Sequence, residues 1–321
     1  FFSRILARDY FWKYDQKEKG LEIADRLLKN DPYDAIGRFK SAWVSGEPYG
    51  DLVEGFKLLH RLIQKEPYHM GNLNWSGYNC LSLDLLPLAE KYARNIQLRF
   101  PDNERHTYNN VLYVYATKKE YNSMLDHINI WASDKNLDPS TYAADLAWTY
   151  SLMDDNQKAL ALFEESFPEL SDPEQAKEQL AETWEDLILA GYIEYLRIEG
   201  NHEKADALSK ILCDFFDEKL ASGAYQKRQI RGCKLDCAYA KNDIETFLSV
   251  LEEYYFERNN KHDIYTDLNA GSYRLFEDDP RYQKLFTRIQ DDIHQKRAEI
   301  ITYLKEEGDW DPAWDKELGI D

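Results

Sequence analysis

Three runs decide the architecture: LLKNDP (Leu27–Pro32), LIQKEP (Leu62–Pro67) and IQLRFP (Ile96–Pro101). Each is a helix-like stretch closed by a proline, and the prolines lie 35 and then 34 residues apart. Proline ends a helix because it cannot donate the next backbone hydrogen bond. A terminator recurring at that interval leaves room for two helices between occurrences. The spacing therefore predicts a stack of helical hairpins, each burying its apolar side on its neighbours.

Working outward, the segment Met70–Asn103 is the most regular, with Gly77, Ala89 and Pro101 at its eighth, twentieth and thirty-second positions. Small residues belong where two helices cross closely. The segment before it, Ala35–His69, has Ala42 and Pro67 in the same roles, one extra residue in the turn Gly46-Glu47-Pro48-Tyr49-Gly50, and Phe39 and Trp43 on its first helix. Gly20–Pro32 reads as the second helix of a first hairpin, paired with Arg4–Tyr14. Downstream, Glu104–Pro139 is longer, with its extra residues expected near Asp134-Lys135-Asn136. Ser140–Phe167 restores the pattern, with Ala143, Ala147, Ala159 and Phe163 and a turn at Asp154-Asp155-Asn156.

Pro168 and Pro173 then flank an acidic linker, and Glu174–Glu199 reads as one long helical run. Further hairpins are expected across the turn Gly200-Asn201-His202, with Ala205 opening the next helix, and from Gln226 to Tyr255 across Lys241-Asn242-Asp243. A hairpin-like element at Tyr265–Leu275 precedes a long helix from Arg281 to Glu307. The tail carries Trp310 and Trp314, too apolar for a disordered end, and is expected to dock on the final helices as a cap. No sustained alternation competes with an all-α reading of about seven to eight hairpins. The expected organisation is a regular array at 1–167, divergent hairpins at 168–264, and a terminal hairpin, capping helix and docked tail at 265–321.

The composition bounds the partner. With 321 residues, 59 acidic against 40 basic side chains and a formal net charge of −19, the surface repels nucleic-acid phosphates and favours a basic or neutral partner. No run approaches the ~20 apolar residues of a membrane span. The start at Phe1-Phe2-Ser3-Arg4 carries neither an initiator methionine nor a signal-peptide pattern, so a fragment or processed chain is expected. Cys80, Cys213, Cys233 and Cys237 are too scattered for a disulfide framework and leave the compartment open.

Sequence signals for chemistry are missing. No phosphate loop, dinucleotide fingerprint, nucleophile elbow or zincin helix occurs. Cys233 and Cys237 share a helical face, but zinc needs about two more ligands, so both are expected to pack as free thiols. The pairs His202-Glu203 and His262-Asp263 point apart and read as surface residues, and the carboxylate runs read as solvated helix faces. The expectation is a non-enzymatic chain without cofactor or metal.

Aromatic residues are in excess: 23 Tyr, 14 Phe and 8 Trp. On first helices that line a concave face, the second, fifth, ninth and twelfth positions point inward. That count places Phe39, Trp43, Asn74, Tyr78, Leu81, Tyr108, Leu112, Tyr115 and Trp148 in a groove for a protein or peptide partner. Tyrosine and tryptophan suit such a surface because they supply large contact area at low entropic cost.

These residues resemble the tetratricopeptide-repeat superfamily over most of the chain, although Leu73 stands where that repeat usually has tryptophan. The resemblance implies a right-handed superhelical solenoid. A second, narrower resemblance lies in Phe276–Phe286 (FEDDPRYQKLF) and the charged helix after it. This segment is similar to the closing element of bacterial multidomain regulators, with Phe276-Glu277 in place of Leu-Arg. In those proteins an adenylate cyclase of class III or a winged-helix DNA-binding domain precedes a repeat array. The resemblance implies the partner-binding or sensor arm of a larger bacterial signalling protein, in cytoplasm or periplasm, with any catalytic part or membrane span upstream. It equally implies a regulatory domain that answers to a small ligand. Terminal hairpins left uncapped would allow oligomerisation.

Overall fold

The computed structural model describes residues 2–12, 16–46, 49–100, 104–180, 185–222 and 227–320. Within them the prolines act through the residue that precedes each one. Asp31 (φ −141°), Glu66 (φ −128°), Phe100 (φ −132°) and Phe167 (φ −135°) all leave helical geometry immediately before a proline in the sequence. Each still donates its N–H four residues back, to Leu27, Leu62, Ile96 and Phe163. The clash of the proline ring with the preceding residue sets this stop. Pro101 itself, like Pro48, lies outside the described residues.

Nineteen α-helices and no strand are present among the described residues. The first seven are α1 (Phe2–Trp12), α2 (Lys17–Asn30), α3 (Ile36–Ser45), α4 (Leu52–Lys65), α5 (Met70–Ser82), α6 (Leu86–Arg99) and α7 (Glu104–Thr117). There follow α8 (Tyr121–Lys135), α9 (Ala143–Leu152), α10 (Asn156–Ser166), α11 (Pro168–Ser171), α12 (Pro173–Gln179), α13 (Glu185–Ile198), α14 (His202–Ala221) and α15 (Lys227–Ala240). The last are α16 (Ile244–Glu252), α17 (Lys261–Asn269), α18 (Pro280–Glu307) and α19 (Ala313–Glu317). Consecutive helices pair as hairpins: α1 with α2, α3 with α4, α5 with α6, α9 with α10, α13 with α14 and α15 with α16.

One turn closes most of these hairpins. Asp84, Lys119, Asp154, Gly200 and Asn242 each adopt the left-handed conformation. The residue after each donates its N–H to a carbonyl five back: Leu85 to Cys80, Glu120 to Tyr115, Asp155 to Tyr150, Asn201 to Leu196, and Asp243 to Ala238. This Schellman closure satisfies carbonyls left open at the helix end, and the next helix starts at once. The left-handed residues at 84, 119 and 154 are 35 apart, so the hairpin register does not slip there. The extra residues expected near Asn136 lie after α8, in a second left-handed cap at Asn136 and a 3₁₀ turn at Pro139–Thr141.

Two lobes emerge: residues 1–114, 255–266 and 288–321 form the first, and residues 115–254 and 267–287 the second. This grouping follows packing, whereas the three-part division drawn above follows repeat regularity. In the first lobe, contacts recur about one repeat apart. Arg4 binds Asp34 at 2.7 Å, Phe11 stacks on Trp43 at 4.3 Å, and Arg38 bonds the His69 ring at 3.2 Å. Lys65 lies over Tyr33, Arg99 lies 3.6 Å from the centre of Tyr68, and Asn79 reaches Ser45. The recurring proline thus marks a recurring set of inter-hairpin bonds.

The tail docks, but on earlier helices as well as on α18. Asp309 accepts bonds from His60 and Gln64 of α4, both at 2.9 Å, Lys91 of α6 lies over Trp314, and Trp310 is buried. The edge of Tyr303 on α18 meets the His60 ring at 5.6 Å, and Arg297 binds Asp84 at 2.5 Å. Sequence order offered no hint of this, because these partners lie more than two hundred residues apart.

Four further expectations change. The run from Glu174 leaves the helix at Leu180, after α12 ends at Gln179, and residues 181–184 before α13 lie outside the described residues. Ile244–Tyr255 is not one helix, since α16 gives way to a π turn at Glu253–Glu257, and Tyr265–Leu275 spans the end of α17 and a 3₁₀ turn at Arg274–Phe276. Cys237 is not a free thiol: it is bonded to Cys213 on the facing helix α14, with Cα atoms 5.4 Å apart. Spacing along one helix could not show this, because the partner comes from another. Cys80 and Cys233 are buried and take no part in this disulfide.

Candidate functional site

The residues expected to line a groove divide between the lobes, and packing holds them to different degrees. In the first lobe Trp43 is 1% exposed, Tyr108 is buried, and Asn74 is buried and accepts a bond from Asn110 at 3.1 Å. Phe39, beside Trp43, and Tyr78 are half-buried; burial raises the Tyr78 pKa, opposed by a bond with Asn109. In the second lobe Tyr115 and Trp148 are half-buried, and the edge of Tyr115 meets His127. Leu81 and Leu112 are buried. The position count could not separate side chains that are buried, such as Trp43 and Tyr108, from those that stay half-buried, such as Phe39 and Tyr78.

Two surfaces with chemical content escaped the sequence reading. In the first lobe a cleft of about 530 Å³ runs between Tyr49–Lys57 and Asp292–Glu299. Asp292 lies in its wall and gathers Tyr255 Oη at 2.9 Å, Lys261 Nζ at 3.1 Å and Lys296 Nζ at 2.5 Å. Burial pulls the Lys261 pKa down, against the attraction of Asp292. The other charged lining groups are Asp51, Glu54, Lys57 and Glu299, and Asp51 is fixed by accepting the Glu54 N–H.

In the second lobe the first helices of successive hairpins, α9, α13 and α15, present a carboxyl and a hydroxyl held in place. Glu194 on α13 is 9% exposed, and burial lifts its pKa to about 7 although Tyr239 on α15 donates to it at 2.7 Å. Ser151 at the end of α9 donates to Asn156. The segment from Gly271 to Phe276 lies on this face. Gly271 sits at φ +85°, and a Cβ there would stand 2.8 Å from the Leu152 side chain. Only glycine combines that backbone conformation with so close an approach.

These groups do not assemble into a nucleophile, base and orienting partner. His202 is exposed on the first turn of α14, and the side chains of His262 and Asp263 lie outside the described residues. Among the described residues no group of three or more His, Cys, Asp or Glu is placed to hold a metal ion, and no helix is long and apolar enough to cross a membrane.

No protein-family model and no curated protein sequence matches the chain. Among solved structures, one similar chain belongs to the structure of Naa15/Naa10 bound to HypK-THB. It is 15% identical, with a TM-score of 0.37, and the alignment covers 98% of this chain and 64% of that one. The chain thus spans less than two thirds of the length of that relative.

Proposed function

We propose that the chain is a non-catalytic interaction module that holds a basic or neutral protein or peptide on the first-helix faces of its hairpins. The observation that carries this reading is the half-buried state of Phe39, Tyr78, Tyr115 and Trp148. Each is held in part by packing and is in part accessible, which is how aromatic anchors keep their shape before a partner arrives. The net charge of −19 favours a cationic partner through attraction at encounter. The test is binding to a basic peptide array by the wild type and by Tyr78→Ala and Trp148→Ala. Weakened binding with an unchanged helical circular dichroism spectrum supports the reading, and binding unchanged in both variants removes it. Trp43 is no fair probe, because its loss opens the core.

A second reading makes the chain a regulatory arm of a larger bacterial signalling protein of the cyclase or winged-helix type. It is supported by the FEDDPRYQKLF element, whose Tyr282 packs near Phe247 at 6.3 Å and whose Arg281 pairs with Glu245 and Asp279. The coding sequence upstream of Phe1 tests it: neither type of domain encoded there would remove it.

A further inference from the structure

We infer that the α9–α13–α15 face of the second lobe is a docking surface for a peptide carrying arginine between an aromatic and an apolar residue, and that the chain's own Tyr273-Arg274-Leu275-Phe276 occupies it as a built-in competitor. The inference rests on the reading of the chain as a peptide-binding module, and it names the surface and the chemistry of the partner.

The seated segment makes the contacts a bound peptide makes. The Arg274 guanidinium donates to the backbone carbonyl of Ser151, to Ser151 Oγ at 2.7 Å and to the Asp154 carboxylate at 2.5 Å. Its side chain is 12% exposed. The backbone N–H of Leu275 donates to the Tyr239 hydroxyl at 3.1 Å. Tyr273 and Phe276 meet the Tyr239 ring edge to face at 5.0 and 5.3 Å, and both lie 5.0 Å from Phe247. Tyr273 Oη also approaches Asp236 at 3.4 Å. A charge-assisted anchor, a main-chain hydrogen bond and flanking aromatic contacts are the usual elements of peptide recognition.

The seat is built independently of its occupant. The Tyr239 hydroxyl is aimed by Glu194, and Ser151 by Asn156, so neither depends on the segment for its position. The occupant, in contrast, is held against its own preference. Tyr273 adopts φ +67°, ψ +38°, a left-handed conformation that a bulky side chain disfavours. A separate peptide is free to seat its arginine without that residue. Asp154 and Asp236 give the seat an acidic character that suits a cationic guest.

A fluorescently labelled peptide of sequence GSYRLFED, copying residues 271–278, is titrated with the full chain and with Arg274→Ala. Removing the internal anchor frees the seat, so the variant should bind the peptide about tenfold tighter than the wild type. The same peptide with alanine for arginine should bind neither. As a second measurement that needs no variant, excess unlabelled peptide should raise hydrogen exchange across residues 271–276 of the wild type. Absence of peptide binding by a folded Arg274→Ala chain, or exchange unaffected by the peptide, overturns the inference. Array peptides that bind with no competition from GSYRLFED overturn it while leaving the peptide-binding reading intact, and an array without any binder overturns both.

Discussion

Tyr239 donates its hydroxyl proton to Glu194 at 2.7 Å, and Glu194 is the buried carboxyl whose pKa burial raises to about 7. The raised value fixes the sign of a pH effect. The native state holds a proton that the unfolded chain, with a value near 4.5, releases earlier. Stability from this group is complete below about pH 4.5 and is lost as pH rises through about 7. Glu194→Gln should remove roughly 2–3 kcal/mol of that slope and raise the melting temperature at pH 8 relative to wild type. Melts at pH 5 and pH 8 check it, and parallel slopes in the two proteins would contradict it.

Trp43 is buried against Phe11 and next to Phe39. Trp43→Ala should cost about 3–5 kcal/mol, the range for truncating a buried aromatic. Urea unfolding read by circular dichroism measures the loss.

The Cys213–Cys237 bond closes a loop across a sequence separation of 24 residues between α14 and α15. Constraint of the unfolded chain by a loop of that size is worth about 3 kcal/mol. Reductant should lower the melting temperature of the wild type and leave Cys213→Ala/Cys237→Ala unmoved.

Lys119 holds the left-handed position that closes the α7–α8 turn, where Gly200 stands in the α13–α14 turn. A lysine side chain there is disfavoured by about 1 kcal/mol, so Lys119→Gly should stabilise by roughly that amount. Asn242→Gly should change less, because asparagine tolerates this conformation. Chemical denaturation of the two variants separates them.

His60 is buried between Phe56 and Tyr303, and burial holds its pKa below 6.5 against the pull of Asp309. Its contribution to the stability of the fold is present above about pH 6.5 and lost as the pH falls and the buried imidazole is driven to charge. Removing residues 308–321 should lower the melting temperature. In the intact chain, the melting temperature should fall from pH 7.5 to pH 5.5 by more than in His60→Gln, in which this group no longer titrates.

The hairpins were legible in the sequence because their stops are steric: a proline after Asp31 or Glu66 acts on the residue beside it, and that effect needs no tertiary context. The turns at Asp154, Gly200 and Asn242 were legible for the same reason, whereas Lys119 hid its turn behind a residue type with no turn preference. What could not be read depends on distant partners. Cys213 finds Cys237, Asp309 finds His60 and Arg274 finds Ser151 only after the helices between them have stacked. Among the groove candidates, Trp43 and Tyr78 carry the same signal in sequence. They differ in what covers them, and for Trp43 the cover is Phe11 from the preceding hairpin.

The closing turn places a constraint on how such a chain can change length. Between the helices of a hairpin, one left-handed residue and two backbone hydrogen bonds leave no slack, so an inserted residue there would undo both helix ends. Between hairpins, as from Asn136 to Thr141, the chain already carries surplus residues. Growth, loss and grafted loops in this chain are therefore confined to the joints between hairpins, and the hairpin itself is inherited whole.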